Sequence, residues 1–480
     1  MTPKFAELSD GKKVQYVETD DPPAGAMKET YFSPDRSYVV QFFKNTKTDS
    51  HRIRRLMDIL ARYNLTKTKD NKGFATNQES ADYFKNLFCW PTGIVTQPRL
   101  GITAPVYPGN FFFSSGSLQG KEKNSRWFFS PKCMKNLSLQ EKGTLIDYFK
   151  ICISLARAIR RMHQGGLAHS DLSDKNVLID PIQGKSIIID IDSLVVPGLY
   201  PPDVLGTPDY IAPEVMATMH LPIDHADRIH PSIRTDLHAL AVLLYQYLFF
   251  RHPLKGDKVN SIDSTEEDEI LSMGSKALFI ENPLDKSNRP KSIKVPYAAL
   301  GKQLAGLFEK AFITGLSCPN DRPTAFEWEK ALQDSFEMLC PCPNEKCTGR
   351  WFVYDMDNQK KIKCPYCGFK IDNQIPIMTF LKQSSRGVWE PFKRTTVYHG
   401  KQLFGWHVND NVFPGENADL TPLGSLLFYE GNWVLMNEKL LSMSSPSGNR
   451  VLPGQATALI QGGRIKLANE EHGQMALIDF

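Results

Sequence analysis

A chain of 480 residues is long enough for roughly two to four domains and a large buried core. Its 41% hydrophobic and 23% charged residues read as soluble and globular, and no apolar run reaches the roughly eighteen residues of a membrane span. A net charge of +4 gives no bulk electrostatic ground for nucleic-acid binding.

The N-terminus, MTPKFAELSDGKK, has no apolar signal core. Nine cysteines, four of them bunched late in the chain, point to metal ligation in a reducing compartment, so a cytoplasmic location is expected. VQYVETD and TYFSPDRSYVVQFFK read as strands, the second run turning at PDR. SHRIRRLMDILARY, from Ser50 to Tyr63, repeats apolar residues at helical spacing behind Ser50 as a cap. FCWPTGIVTQPRLGITAPVY predicts two short strands around a turn, and residues 137–163 predict one long amphipathic helix. Next comes HSDLSDKNVLID, from His169 to Asp180, then the strand SIIIDID ending at Asp192 and the segment GTPDYIAPE ending at Glu214. The run Thr235–Phe250 is almost wholly apolar and predicts a buried helix. STEEDE, from Ser264, reads as a solvated acidic insert, and a helical pair is expected between Ala298 and Met338. Beyond about residue 372, short apolar runs alternate with Gly, Asn and Pro turns, as in a small all-β module.

Asp171 and Asn176 lie five apart on one loop, and Asp190 follows fourteen residues later at the end of a strand. Hard oxygen ligands suit magnesium, which makes Asn176 and Asp190 candidate metal ligands and Asp171 the group that orients an acceptor hydroxyl. This order resembles the eukaryotic-type protein kinase family, whose catalytic loop reads H-R-D-x-x-x-x-N and whose metal-binding Asp follows a strand. The resemblance implies a bilobal fold and the use of ATP with Mg2+ or Mn2+. It sets Thr207 opposite Asp171, as in Ser/Thr-directed kinases. It pairs Glu214 with Arg322 of CPNDRPTAFEW and turns Asp236 toward the backbone of the catalytic loop. His169 is expected to brace the loop rather than transfer a proton.

The chain departs from the family pattern at several points. HSD replaces HRD, and Ser170 cannot pair with a phosphorylated activation segment, so activity independent of such phosphorylation is expected. The usual lysine two residues after the catalytic Asp is Ser173; Lys175, four residues after it, would supply that charge. DFG has become Asp190-Ile191-Asp192, which keeps the metal ligand but loses the glycine, making large flips of the motif harder. Aligning SYVVQFF with the family's third strand puts Gln41 where the ATP-binding lysine belongs. AGAMKETYF instead places Lys28 just after Gly25, which resembles the with-no-lysine kinases and their lysine on this neighbouring strand. Lys44 is the alternative, but it lies three positions past Gln41 and so points to the other sheet face. Gly25 alone remains of three expected glycines, behind Pro22 and Pro23, so the phosphate loop is stiff. The acidic partner of the lysine stays open among Asp58, Glu79 and Asp82.

CPNEKC and CPYC present Cys342, Cys347, Cys364 and Cys367 as two pairs with sixteen residues between them, a zinc-ribbon spacing that closes a structural Zn2+ site. Cys340 is the alternative to Cys342, and WFVYDMDNQKKIK reads as the hairpin between the knuckles. The last hundred residues, with PGQ, an apolar strand and then GGRIKL, resemble the fold of forkhead-associated domains, without both the Arg and the Ser of their phosphothreonine site. That implies a protein-docking module, with Trp406 and Trp433 as packing residues.

The expected architecture is therefore multidomain α+β. A protein kinase domain spans 1–338 (N-lobe 1–105, C-lobe 106–338), followed by a zinc ribbon over 339–371 and a β-sandwich over 372–480. The phrases FCWPTGIV, ALFIENPLDKSNRP and RPTAFEWEKAL make the whole similar to the bacterial kinase of the tellurite-resistance-associated triad. That resemblance implies a von Willebrand A-domain protein and a metal-dependent protein phosphatase as partners. The expected activity is ATP-dependent phosphorylation of Ser or Thr on a dedicated protein partner. The alternative is a pseudokinase scaffold that binds nucleotide or partners without turnover, and a third reading makes the β module a phosphopeptide reader.

Overall fold

In the computed structural model, which describes residues 3–23, 27–44, 50–68, 78–196, 199, 206–222, 224–259, 265–355, 362–371 and 374–480, the alternating N-terminal runs become a six-stranded antiparallel sheet. Its strands are β1 (Lys4–Leu8), β2 (Lys13–Tyr16), β3 (Lys28–Phe32), β4 (Tyr38–Phe43), β5 (Gly93–Gln97) and β6 (Gly101–Pro105), in the order β2-β1-β5-β6-β4-β3. The pleat of β4 sends Val40 and Phe42 to one face, against Tyr16 and Tyr31. Val39 and Phe43 go to the other, where Phe43 packs with Leu56 of the helix Ser50–Leu60. Thr30 of β3 lies opposite Gln41 of β4, and Lys28 lies opposite Phe43. A Cβ on Gly101 would come within 2.4 Å of the Gln41 carbonyl, so glycine is what lets β6 lie this close to β4.

Two units divide the chain: residues 1–143, 150–291 and 307–327 form the first, and residues 144–149, 292–306 and 328–480 the second. In the first unit the hairpin of β7 (Val177–Asp180) and β8 (Lys185–Ile188) carries the catalytic-loop sequence on one end and Asp190 on the other. The helix Ile233–Phe249 is mostly apolar and buried over almost its whole length. It starts where the Thr235 hydroxyl accepts from the Ser232 N–H, and ends at Phe250 in the left-handed region. Tyr245 on this helix packs against the rings of Phe249, Phe279, Phe308 and Phe312.

Residues 137–163 are not one helix. A short turn of helix, Leu139–Lys142, ends at Gly143, and the long helix runs from Leu145 to Gln164. Gly143 has φ 64, and a Cβ there would sit 2.4 Å from the Pro181 carbonyl, so the break is set by a close backbone approach that apolar periodicity does not register. The described part of the STEEDE run opens the helix Thr265–Ser272, with Glu266 and Glu267 exposed. The pair expected between Ala298 and Met338 appears as Lys302–Glu309, prolonged by a π-helical turn over Lys310–Thr314, and as Ala325–Glu337.

In the second unit, the middle of WFVYDMDNQKKIK, residues 356–361, lies outside the described residues. Trp351–Val353 (β10) pairs antiparallel with Leu339–Pro341 (β9), ahead of the first knuckle. The C-terminal residues build a sandwich of two four-stranded antiparallel sheets. One is β12-β11-β18-β17, from β11 (Ile377–Ser385), β12 (Val388–Thr396), β17 (Arg464–Lys466) and β18 (Met475–Asp479). The other is β13-β14-β15-β16, from β13 (Lys401–Leu403), β14 (Gly424–Tyr429), β15 (Asn432–Asn437) and β16 (Ala456–Ala458). Met378, Phe380, Leu426, Leu435, Ile465 and Ile478 share its core. Trp433 packs against that core, and Trp406 stacks on Phe404 at 4.7 Å. At the β14–β15 turn Glu430 and Gly431 both have positive φ, as a two-residue hairpin turn requires.

Candidate functional site

The loop after Leu167 is shaped by Asp236 at the start of the long buried helix. The Asp236 carboxylate accepts from the N–H groups of His169 at 2.7 Å and Ser170 at 3.3 Å, and it meets the His163 ring at 3.3 Å. This holds Ser170 in the left-handed region at φ 65, a conformation costing roughly 1–3 kcal/mol for a non-glycine residue unless its surroundings fix it. Asp171 follows and is half-buried. The Thr207 hydroxyl donates to one of its carboxylate oxygens at 2.7 Å, and the Asn176 amide donates to the other at 2.9 Å and to the Asp171 carbonyl at 2.8 Å. Because the Asn176 nitrogen is committed to Asp171, its amide oxygen is the atom it can offer a metal.

A second cluster forms around Lys28. Its ammonium lies 2.9 Å from Asp190 Oδ1 and 2.6 Å from Asp192 Oδ1. Burial alone would lower the Lys28 pKa, but the carboxylates of Asp192 and Asp190 outweigh it and raise it, so the lysine stays charged. Burial likewise works against an ionised Asp190, and Lys28 more than offsets it, lowering its pKa. The Asp190 side chain remains 42% exposed, against 7% for Asp192, and its backbone is left-handed at φ 58. Ile189 joins the two clusters. Its N–H donates to the Asn176 carbonyl at 3.0 Å, and its carbonyl meets the His169 Nε2 at 2.9 Å. His169 is therefore a brace between the catalytic loop and the strand that ends at Asp190.

Several neighbours feel this charge. Burial and nearby Asp190 push the Cys89 thiol up to about 12, and raise the Glu122 carboxyl above its usual range. Burial also raises Asp174, beside the loop. The segment after Thr207 is anchored separately: Lys255 pairs with Asp209, and the buried His252 ring meets the Asp209 carbonyl at 2.9 Å. Burial brings His252 down to about 4, which keeps it neutral. Glu214 takes both arms of the Arg322 guanidinium at 2.7 Å, and Arg322 also donates to the carbonyls of Arg234 and Gly315.

Asp171, Asn176 and Thr207 thus meet directly, and Lys28 meets Asp190. Lys175 is exposed, and no hydrogen bond or ion pair among the described residues ties it to Asp171; its electrostatic neighbour is Asp174. Gly25 lies outside the described residues. Gln41 donates to the Thr30 hydroxyl at 3.1 Å, and Lys44 is exposed. Of the three acidic groups weighed as the lysine's partner, Asp82 pairs with Lys85, Glu79 is exposed and Asp58 is half-buried. The partner that sequence reasoning missed is Asp192. Its signal was there: an acid stands where the family has the glycine after its metal-binding Asp.

In the second unit the thiols of Cys342, Cys347, Cys364 and Cys367 lie within 4.8 Å of one another. Cys342 is 3.7 Å from Cys367, and Cys347 is 3.7 Å from Cys364. Cys340 stands outside that group. Four sulfur donors and no other ligand type fit a closed tetrahedral Zn2+ site. Burial raises the pKa of Cys342 and Cys364. At Cys367, desolvation is the largest single influence and raises the pKa, but the Phe369 N–H, Asn344 and the neighbouring thiols together outweigh it and bring it to about 7.

Residues 126–336 match the family model of the protein kinase domain. The chain is 29% identical over 196 residues to the serine/threonine-protein kinase PknD of Chlamydia abortus, covering 34% of this chain and 19% of that protein. It is 33% identical over 150 residues to the serine/threonine-protein kinase PSK1 of Saccharomyces cerevisiae, covering 29% of this chain and 10% of that protein. The chain thus spans less than a fifth of the length of these curated relatives. Among solved structures, a rhoptry antigen kinase domain of Toxoplasma gondii aligns with a TM-score of 0.41 at 14% identity, covering 70% of this chain and 86% of that one. No helix among the described residues is long and apolar enough to cross a membrane.

Proposed function

We propose that the chain is an ATP-dependent protein Ser/Thr kinase. The observation that carries this reading is the bonding of Asp171 to both Asn176 and Thr207, one strand end away from the Lys28–Asp190 pair. Mg-ATP, when bound, supplies the phosphoryl group and the divalent charge that neutralises it. Asp190 and the Asn176 amide oxygen hold the metal, and Lys28 offers its charge to the phosphates in place of the missing third-strand lysine. Gly25 belongs to the phosphate loop before it. Asp171 orients the acceptor hydroxyl and accepts its proton, a role worth roughly two to four orders of magnitude in rate. Lys175, exposed beside Asp174, supplies charge near the acceptor. Thr207 holds Asp171 in place until an acceptor Ser or Thr takes over that hydrogen bond.

The partners follow from the resemblance of the whole chain to the tellurite-associated kinase: a dedicated protein substrate, a von Willebrand A-domain protein and a metal-dependent phosphatase, in the cytoplasm. The C-terminal sandwich serves as a forkhead-associated-like docking module, and the four cysteines hold structural Zn2+. The domain limits follow the same reading, with a kinase domain to residue 338, a ribbon over 339–371 and a sandwich over 372–480.

One observation favours the pseudokinase alternative: Lys28 is held by Asp190, a carboxylate that the metal also needs. Labelled ATP with Mg2+ or Mn2+ decides between the two. Transfer to the chain itself or to casein, abolished by Asp171→Asn, is the expected result. A nucleotide-dependent rise in melting temperature without any transfer, even with candidate partners present, would overturn the enzyme.

A further inference from the structure

Protein kinases ordinarily orient the phosphate-binding lysine with a glutamate from a mobile helix of the N-lobe, and that pair must form before transfer. The guanidinium of Arg52, on the helix Ser50–Leu60, sits 5.0 Å over the ring of Phe43, and Phe43 is the cross-strand partner of Lys28. A cation in that place cannot anchor a lysine. Among the described residues two carboxylates reach the Lys28 ammonium, and both come from the turn that follows Ile189. Asp190 is half-buried, with 42% of its side chain still exposed and so open to a metal. Asp192 is closed off, with 7% of its side chain exposed, and makes the shorter contact at 2.6 Å. It occupies the position at which the family's motif has a glycine, which has no carboxylate to offer. The turn Ile191–Ser193 is a single 3-10 turn, and Leu194 closes it by donating to the Ile191 carbonyl.

We infer that Asp192 is the positioning residue for Lys28: it replaces the helix glutamate, so that the lysine is tied to the metal-binding turn rather than to a moving helix. The inference rests on the proposed reading of the cleft as an Mg-ATP site. Two departures from the family pattern, the lost glycine and the lysine moved to the neighbouring strand, become one compensated change. When Asp190 turns to a metal, Asp192 keeps Lys28 aimed at the phosphates. The pair also needs no inward swing of a helix to form, which accords with a catalytic loop in which serine replaces the arginine that would read a phosphorylated activation segment.

The test is a double-mutant cycle in Mg-ATP affinity, measured by calorimetry on the full chain. Asp192→Asn is expected to weaken Mg-ATP by on the order of tenfold in the wild-type background and to change nothing further in Lys28→Met, because its effect passes through the lysine. A residue that merely supports the fold would weaken both backgrounds alike. Should Asp192→Asn not fold, Asp192→Glu takes its place in the same cycle, since it keeps the charge and displaces the carboxylate by one methylene. Equal losses in the two backgrounds, or none in either, overturn the assignment while the nucleotide site stands. Wild-type protein that binds no Mg-ATP overturns the reading of the cleft and the assignment together.

Discussion

Arg322 and Glu214 lie 108 positions apart, yet their side chains form a two-armed ion pair with the arginine 1% exposed. A pair taken this far out of water contributes little relative to a well-packed apolar pair, but breaking it strands a charge. Arg322→Ala should therefore destabilise the first unit by roughly 3–5 kcal/mol, read as a shift in the urea midpoint. Arg322→Lys keeps the charge but loses the planar fork and the donors to Arg234 and Gly315, so it should recover only part of that loss. This pair was legible in the sequence because both members sit in motifs with fixed neighbours. Asp192 was not, although it is just as tightly bound. Its partner lies 164 positions away on a strand, and nothing in the spacing of an isolated Asp names a distant lysine.

Elements were legible where local chemistry alone decides them. The turn at PDR between β3 and β4 and the almost wholly apolar helix Ile233–Phe249 needed no knowledge of the rest of the chain. The helix broken at Gly143 and the pairing of β10 with β9 are fixed by what those segments meet, and a sequence window does not contain it. The end of the helix Ala325–Glu337 is another such case. Glu337 receives Lys401 at 3.0 Å, His407 Nε2 at 3.0 Å and the Thr395 hydroxyl at 2.7 Å, all from the sandwich. Burial alone would raise the Glu337 pKa. Lys401 and His407, with the hydrogen bonds from His407 and Thr395, outweigh it and hold the carboxyl well below its ordinary value. A folded-state pKa below the unfolded one makes a contribution that is fully present above the unfolded value and is lost as the pH falls toward the folded one. The second unit should therefore lose stability progressively below about pH 4.5, and Glu337→Gln should flatten that part of the curve while lowering stability at neutral pH. Denaturant melts of both proteins from neutral to acid pH check this. Parallel curves would mean that the acid sensitivity lies elsewhere.

At the scale of the whole molecule, the two units are built on different physics. The first is a large apolar core that needs no staple. The segment around the four cysteines is different: Cys342, Cys347 and Cys364 pack with Phe352, Tyr354, Ile375 and Ile377 in a small cluster of their own. Small cores of this kind fold only when something besides burial holds them. Without a metal these thiols differ, because burial resists ionisation of Cys342 and Cys364 while at Cys367 hydrogen bonds outweigh desolvation and bring the pKa down to about 7. A bound Zn2+ would take all four as thiolates and release their protons. Binding of that kind is worth on the order of 10 kcal/mol in small zinc modules and is then part of the folding free energy. Metal analysis should find one zinc per chain, reduced in Cys347→Ser. Chelation should speed amide exchange from β9 to the second knuckle and leave the loop around Asp171 protected, because Asp236 and Ile189 hold that loop without any metal. Exchange that is unchanged by chelation in a zinc-loaded sample would show that the ribbon is held by its apolar cluster alone.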